Sequence, residues 1–145
     1  MQDLSADEIA SRSATAMWAE DRASQALGIE MISVNPGRAQ MAMTITPAMT
    51  NGHGICHGGF IFMLADSAFA FACNSRGQRH VAQHCHVTFL SPVRHGTRLI
   101  AEASERQRAE RSGITDVTVR DEAGRVIAEF RGHSRAIAGS LLSAD

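Results

Sequence analysis

The chain has 145 residues and a formal net charge of −1 at neutral pH. That length favours one domain, spanning residues 1–145, with a true core. The near-zero charge excludes the broad basic surface of a nucleic-acid or anionic-membrane binder, so any anionic ligand must be held by local positive groups. The three cysteines, Cys56, Cys73 and Cys85, form no CxxC pair and cannot all pair with one another, so a reducing compartment is the simpler reading. The N-terminus, MQDLSADEIA, is acidic and lacks an apolar signal segment. The longest apolar run is short and contains Asp66, which argues against a membrane span. A cytoplasmic protein is the expectation.

Ser5 and Glu8 have capping-box spacing and predict a helix that runs to about Leu27, where Gly28 suits a C-terminal cap. Its small and polar residues predict a helix lying on the surface. Strand-like segments 29–34 and 38–46 flank the turn signature Asn35-Pro36-Gly37. In the second, Met41, Met43 and Ile45 alternate with smaller residues, as on a sheet with one buried face. Residues 47–56 form a loop rich in Asn, Gly and His.

The segment 58–73, GGFIFMLADSAFAFAC, is apolar nearly all round except for Asp66 and Ser67. An amphipathic surface helix would not have that pattern, and a helix buried on most sides would. It is also longer than an ordinary strand. Four further strands are predicted at 81–90, 97–106, 111–121 and 125–136, separated by turn-like breaks at 92–96, 107–110 and 122–124. The order is helix, two strands, one buried helix, four strands. One long helix wrapped by an antiparallel sheet is an α+β arrangement.

Asp66 is the most informative residue. An unpaired carboxylate inside an apolar helix costs several kcal/mol, by order of magnitude, so it is either paired structurally or put to use. Two neighbouring features favour use. His57-Gly58-Gly59 stands at the helix start, where free amides lie at the positive end of the helix and can polarise a carbonyl or hold an oxyanion. Asn51-Gly52-His53 precedes it, and Asn51 there can orient a water or a carbonyl, though Asn-Gly is also a common turn.

Together these residues resemble a known family. The stretch Asn51-Gly52-His53, Cys56-His57-Gly58-Gly59, Leu64-Ala65-Asp66-Ser67-Ala68-Phe69-Ala70 is similar to the signature of phenylacetyl-CoA thioesterases of the hotdog superfamily. The likeness extends through Leu27-Gly28-Ile29, Ala72-Cys73-Asn74-Ser75, Phe89-Leu90-Ser91-Pro92, Gly96-Thr97 and Phe130-Arg131-Gly132. The resemblance implies a hotdog fold, a long central helix wrapped by a curved antiparallel sheet. It implies hydrolysis of the thioester of phenylacetyl-CoA, or of a ring-hydroxylated phenylacetyl-CoA, to free acid and CoA. Carried over by position, Asp66 activates water and the Gly59 amide is the oxyanion donor. Asn51 and His57 complete the catalytic set, and Gly58 and Ser67 contact substrate. Ser67 stands where Thr is expected as readily. Arg94, Arg111 and Ser112 are the candidates for binding the CoA moiety, with Arg98, Arg106 and Arg108 as further basic groups. No cofactor is expected beyond the CoA of the substrate.

Gly59 and Asp66 lie seven residues apart, which on a helix is roughly 10 Å. One side chain does not readily bridge that distance to a single carbonyl, so Gly59 of one subunit is expected to face Asp66 of another. A homo-oligomer follows, and by resemblance a dimer of dimers. His84 and His86, with His53, His57 or Cys56, could make a zinc site, but no HExxH or paired CxxC is present, and no metal is expected. Two other functions compete on the same fold. A hydratase or dehydratase would use His57 with Asp66, but the proline-rich loop of those enzymes is missing. A non-catalytic acyl-CoA sensor would need a fused DNA-binding segment or a basic helix, and neither is seen.

Overall fold

The computed structural model describes residues 3–142. Helix α1 (Ala6–Glu20) begins with the expected capping box: the Ser5 side chain accepts from the Glu8 N–H, and Glu8 accepts from the Ser5 N–H. The helix does not run unbroken to Leu27. Asp21 leaves helical geometry and caps a second short helix, α2 (Arg22–Ala26). Gly28 follows in the left-handed region at φ 71°, where a Cβ is disfavoured.

The strands are β1 (Glu30–Asn35), β2 (Arg38–Thr44), β3 (Gln78–Phe89), β4 (Arg98–Ala109), β5 (Ser112–Arg120) and β6 (Val126–Ser140). They form one antiparallel sheet in the order β1-β2-β4-β5-β6-β3. Three depart most from the sequence reading. β3 starts three residues early, β4 runs three residues further and β6 four. Long-range pairing between β3 and β6 carries both strands beyond their apolar alternation.

The long helix α3 (Gly58–Cys73) matches the predicted boundaries and lies across β2, β4 and β5. Leu64, Ala65, Ala68, Phe69, Phe71 and Ala72 are buried, and they meet Met41, Met43, Leu99, Val117, Val119 and Phe130 from the sheet. Packing is tight enough to demand glycine at one point: a Cβ on Gly132 would stand 2.6 Å from a Phe69 ring carbon. The α+β expectation, one buried helix wrapped by an antiparallel sheet, describes the fold.

Candidate active site

Helix α3 has one stripe that is not fully buried. Gly59, Phe62, Met63, Asp66 and Ala70 lie along it at helical spacing, exposed or half-buried, while the other faces are packed. Asp66 therefore looks out from the middle of the helix. No cation stands within ion-pair distance of it among the described residues. Burial pushes its carboxyl above the ordinary carboxylate range, and the negative charge of Asp21 pushes it further. Cys73 and Cys85 also feel this carboxyl. Burial is the main reason that both thiols stay protonated, Cys73 up to about 12; the Asp66 charge adds to it at both, after that of Glu105 at Cys73.

The first turn of α3 is organised by His57. As N-cap, its Nδ1 accepts from the Gly59 N–H at 3.0 Å. The predicted oxyanion donor is thus satisfied within the chain, and it can serve a ligand only when the His57 ring releases it. Gly58 leaves room for a ring: a Cβ there would stand 2.8 Å from Phe89 Cζ, the tip of a half-exposed side chain that would have to turn aside. Asn51 closes the preceding loop, its Oδ1 accepting from the His53 N–H at 2.9 Å. These residues border a groove of about 430 Å³ lined by Asn51, Gly58, Ile61, Phe89, Leu90 and Pro92, among others. Its walls are mostly apolar, and Phe89 and Leu90 are more than half exposed. Asp66, two turns along α3, does not line it.

Other expectations are redistributed. Ser67 does not face the groove; it is buried against α2, 2.8 Å from Ser24 Oγ, because its position on α3 turns it toward that helix. Arg94 is exposed beside the groove, in a neighbouring depression shared with Ile55, Pro92 and Arg125. Arg111 and Ser112 lie at the opposite end of β4, a strand of 12 residues. At ~3.3 Å per residue that is roughly 35–40 Å away. Arg98, Arg106 and Arg108 are engaged by Glu30, Asp116 and Glu105. Arg125 escapes the sequence reading: its Nε donates to Ser91 Oγ at 3.1 Å on the groove lining. Only the Gly124-Arg125 turn before a strand marks it in the sequence.

His84 and His86 do share a face, but their third neighbour is His133, with ring centroids 5.4 Å from His84, and not His53, His57 or Cys56. Among the described residues no cluster of His, Cys, Asp and Glu has a geometry able to hold a metal ion. Burial pushes the Cys56 thiol up to about 11, and its Sγ donates to the His57 carbonyl.

A sheet-wrapped helix carrying an unneutralised carboxylate, with glycines at its start beside an apolar groove, fits thioester chemistry. Residues 53–128 match the thioesterase superfamily. The chain belongs to that superfamily: it is a thioester hydrolase of the hotdog fold. Within it, the chain is 42% identical over 130 residues to the acyl-coenzyme A thioesterase PaaI of Escherichia coli K12, covering 90% of this chain and 93% of that protein. The solved structure of E. coli PaaI, from the phenylacetic acid degradation operon, superposes with a TM-score of 0.92 over 94% of this chain and 99% of that one. A mutant of the phenylacetic acid degradation protein PaaI from Thermus thermophilus is 36% identical, with a TM-score of 0.78 over 81% of this chain and all of that one. The chain is a PaaI homologue.

Proposed function

We propose that the protein hydrolyses acyl-CoA thioesters, with phenylacetyl-CoA or its ring-hydroxylated derivatives as the preferred class. The observation that carries this reading is Asp66, a half-buried carboxylate on the open stripe of α3 with no counter-ion among the described residues. Its raised pKa brings it closer to the working pH, where a general base is most effective. Asp66 takes a proton from water, and the oxygen attacks the thioester carbonyl. The negative charge that develops is met by the Gly59 N–H and the positive end of α3. The C–S bond then breaks, and the CoA sulfur takes back the proton from Asp66. His57 must give up its bond to the Gly59 N–H as the carbonyl arrives, so it gates the donor. The apolar groove beside Gly58 suits an aryl or alkyl group, and two relatives are named for phenylacetic acid degradation.

The working unit is a homo-oligomer. Gly59 and Asp66 are seven residues apart, which places them on one face of α3 and roughly 10 Å apart along its axis. A two-fold axis passing near Phe62 and Met63 would bring Gly59 of each chain to Asp66 of the other. Strand β3 offers the means. It is 12 residues long, it forms one edge of the sheet, and Val81 and Phe89 on it are 46% and 51% exposed. Pairing of two such edges joins the sheets side by side, and a dimer of dimers completes the assembly. In it, Arg94 with Arg125 attracts CoA phosphates at the chain's own groove, while Arg111 and Ser112 are free to serve another subunit's ligand. The reaction uses neither a metal nor a cofactor besides the CoA of the substrate. Three free thiols support a reducing, cytoplasmic setting.

The test is a thiol-release screen across acyl-CoAs on the wild type and Asp66→Asn. Rapid release from phenylacetyl-CoA, lost by ~10²–10⁴-fold in the variant, is expected. Near-normal kcat in a folded Asp66→Asn protein overturns the assignment. Hydration of crotonyl-CoA without thiol release would indicate a hydratase, and binding without turnover a sensor.

A further inference from the structure

The break between α1 and α2 leads into the short helix that touches Ser67, the residue beside Asp66 on α3. Asp21 is the residue at which the helix stops, and both its oxygens are used: Oδ1 accepts from the Ser24 N–H at 3.0 Å and Oδ2 accepts from the Ser24 hydroxyl at 2.7 Å. Ser24 Oγ is also 2.8 Å from Ser67 Oγ. A serine hydroxyl has one proton. Since Ser24 gives its proton to the carboxylate, Ser67 must donate to Ser24, and the direction of the chain is fixed as Ser67 to Ser24 to Asp21. Ser24 and Ser67 are 1% and 5% exposed, so water does not compete for these bonds. Ser67 is the residue next to Asp66 on α3.

We propose that Asp21 and Ser24 are positioning residues of the hydrolytic reaction. Through Ser67 they lock the turn of α3 that carries Asp66, and Asp21 presents a fixed negative charge to the Asp66 carboxylate. The inference rests on Asp66 being the base. No ion pair neutralises Asp21 among the described residues, so no counter-charge cancels its effect at Asp66. Like charges nearby favour the protonated form of an acid, and Asp66 shows that direction, after the larger effect of burial. The other groups facing Asp66, Cys73 on its own helix and Cys85 on β3, stay neutral thiols in the working range. The α1–α2 break thereby acquires a purpose that capping alone does not require: it ties a second carboxylate and a buried hydroxyl to the turn of α3 that carries the base.

Asp21→Asn removes the charge and keeps an oxygen for the Ser24 N–H. The acid limb of the kcat/KM profile, measured by thiol release on the acyl-CoA turned over fastest, should move to lower pH, with KM little changed. Asp21→Ser, also a good capping residue, serves as a second neutral variant in case the first misfolds. Asp21→Glu keeps the charge and should leave the limb in place even if kcat falls. Ser67→Ala and Ser24→Ala should lower kcat about 3–10-fold, the kinetic equivalent of one buried hydrogen bond, with KM within about twofold. If Asp66→Asn is inactive but both neutral Asp21 variants keep the wild-type limb, the positioning role fails and the base assignment stands. If Asp66→Asn is active, the base assignment itself has failed.

Discussion

Mixing two inactive variants gives a decisive readout of a site built from two chains. Asp66→Asn removes the base but leaves the groove. Gly58→Val does the reverse: its Cβ would fall 2.8 Å from Phe89 Cζ, and the branched side chain fills the groove beside Asn51 and Ile61. Gly58 is not in the left-handed region, so its backbone accepts valine. Each variant alone should be nearly inactive. Random pairing of the two in equal amounts makes about half of all dimers mixed. Each mixed dimer holds one site with an intact groove from one chain and an intact Asp66 from the other, and one site damaged in both parts. Turnover should therefore recover to about a quarter of wild type. The mixture is made by co-expression with two affinity tags, and the assay is thiol release from phenylacetyl-CoA. No recovery at any ratio, with mixed dimers verified by tandem purification, would mean that each chain's groove works with its own Asp66, and the two-chain geometry would be refuted.

Three further outcomes are expected. The raised pKa of Asp66 means that the folded chain holds this proton more tightly than the unfolded chain; its ionisation therefore costs stability as pH rises through the folded value. Asp66→Asn should raise Tm at pH 7 and lose that advantage below about pH 4, where both states of the wild type are protonated; an unchanged or lower Tm at pH 7 contradicts this. Gly132→Ala pushes a methyl into the Phe69 ring at 2.6 Å, and such overpacking costs about 1–3 kcal/mol, or roughly 3–10 °C in Tm; calorimetry showing no loss would refute the packing argument. EDTA and Cys56→Ser should each leave kcat within about twofold, since a thiol with a pKa of about 11 is a poor nucleophile at neutral pH; zinc-restored activity after EDTA would require a metal.

The sequence is readable wherever local chemistry dominates. The apolar run 58–73 ends where α3 ends, because Asn74 caps it, its N–H donating to the Ala70 and Ala72 carbonyls. The turns at Gly37 and Gly124 fall where left-handed glycine is needed. Asp66, Gly58 and Gly59 are visible for the same reason, as a charge and two missing side chains where neither is structurally cheap. What cannot be read depends on partners distant in sequence. Ser67 resembles a ligand contact because its neighbour is the base, yet a residue 43 positions earlier claims its hydroxyl. His57 reads as a catalytic side chain, and the fold shows it holding the very amide assigned to the oxyanion. The break at Asp21 interrupts a run with good helical residues on both sides, and it is explained by contacts that cap α2 and tie it to α3, 43 residues further along the chain.

The burial of α3 has a consequence for synthesis on the ribosome. The helix is complete at Cys73, but four of the six strands (β3, β4, β5 and β6) are made only afterwards, the last ending at Ser140. Until β4 appears, the β1–β2 hairpin has no link to the rest of the sheet, because β2 pairs with β4. At ~5–20 residues per second, the 67 residues from Cys73 to Ser140 take roughly 3–13 s to add. Through that interval an almost wholly apolar helix, with Asp66 its only charge, starts with β2 to pack on but without β4 and β5. Nascent chains stalled near residue 110, long enough for α3 to leave the exit tunnel before β4 and β5 do, should therefore bind a ribosome-associated chaperone strongly, and chains stalled on a C-terminal extension that lets β6 emerge should release it.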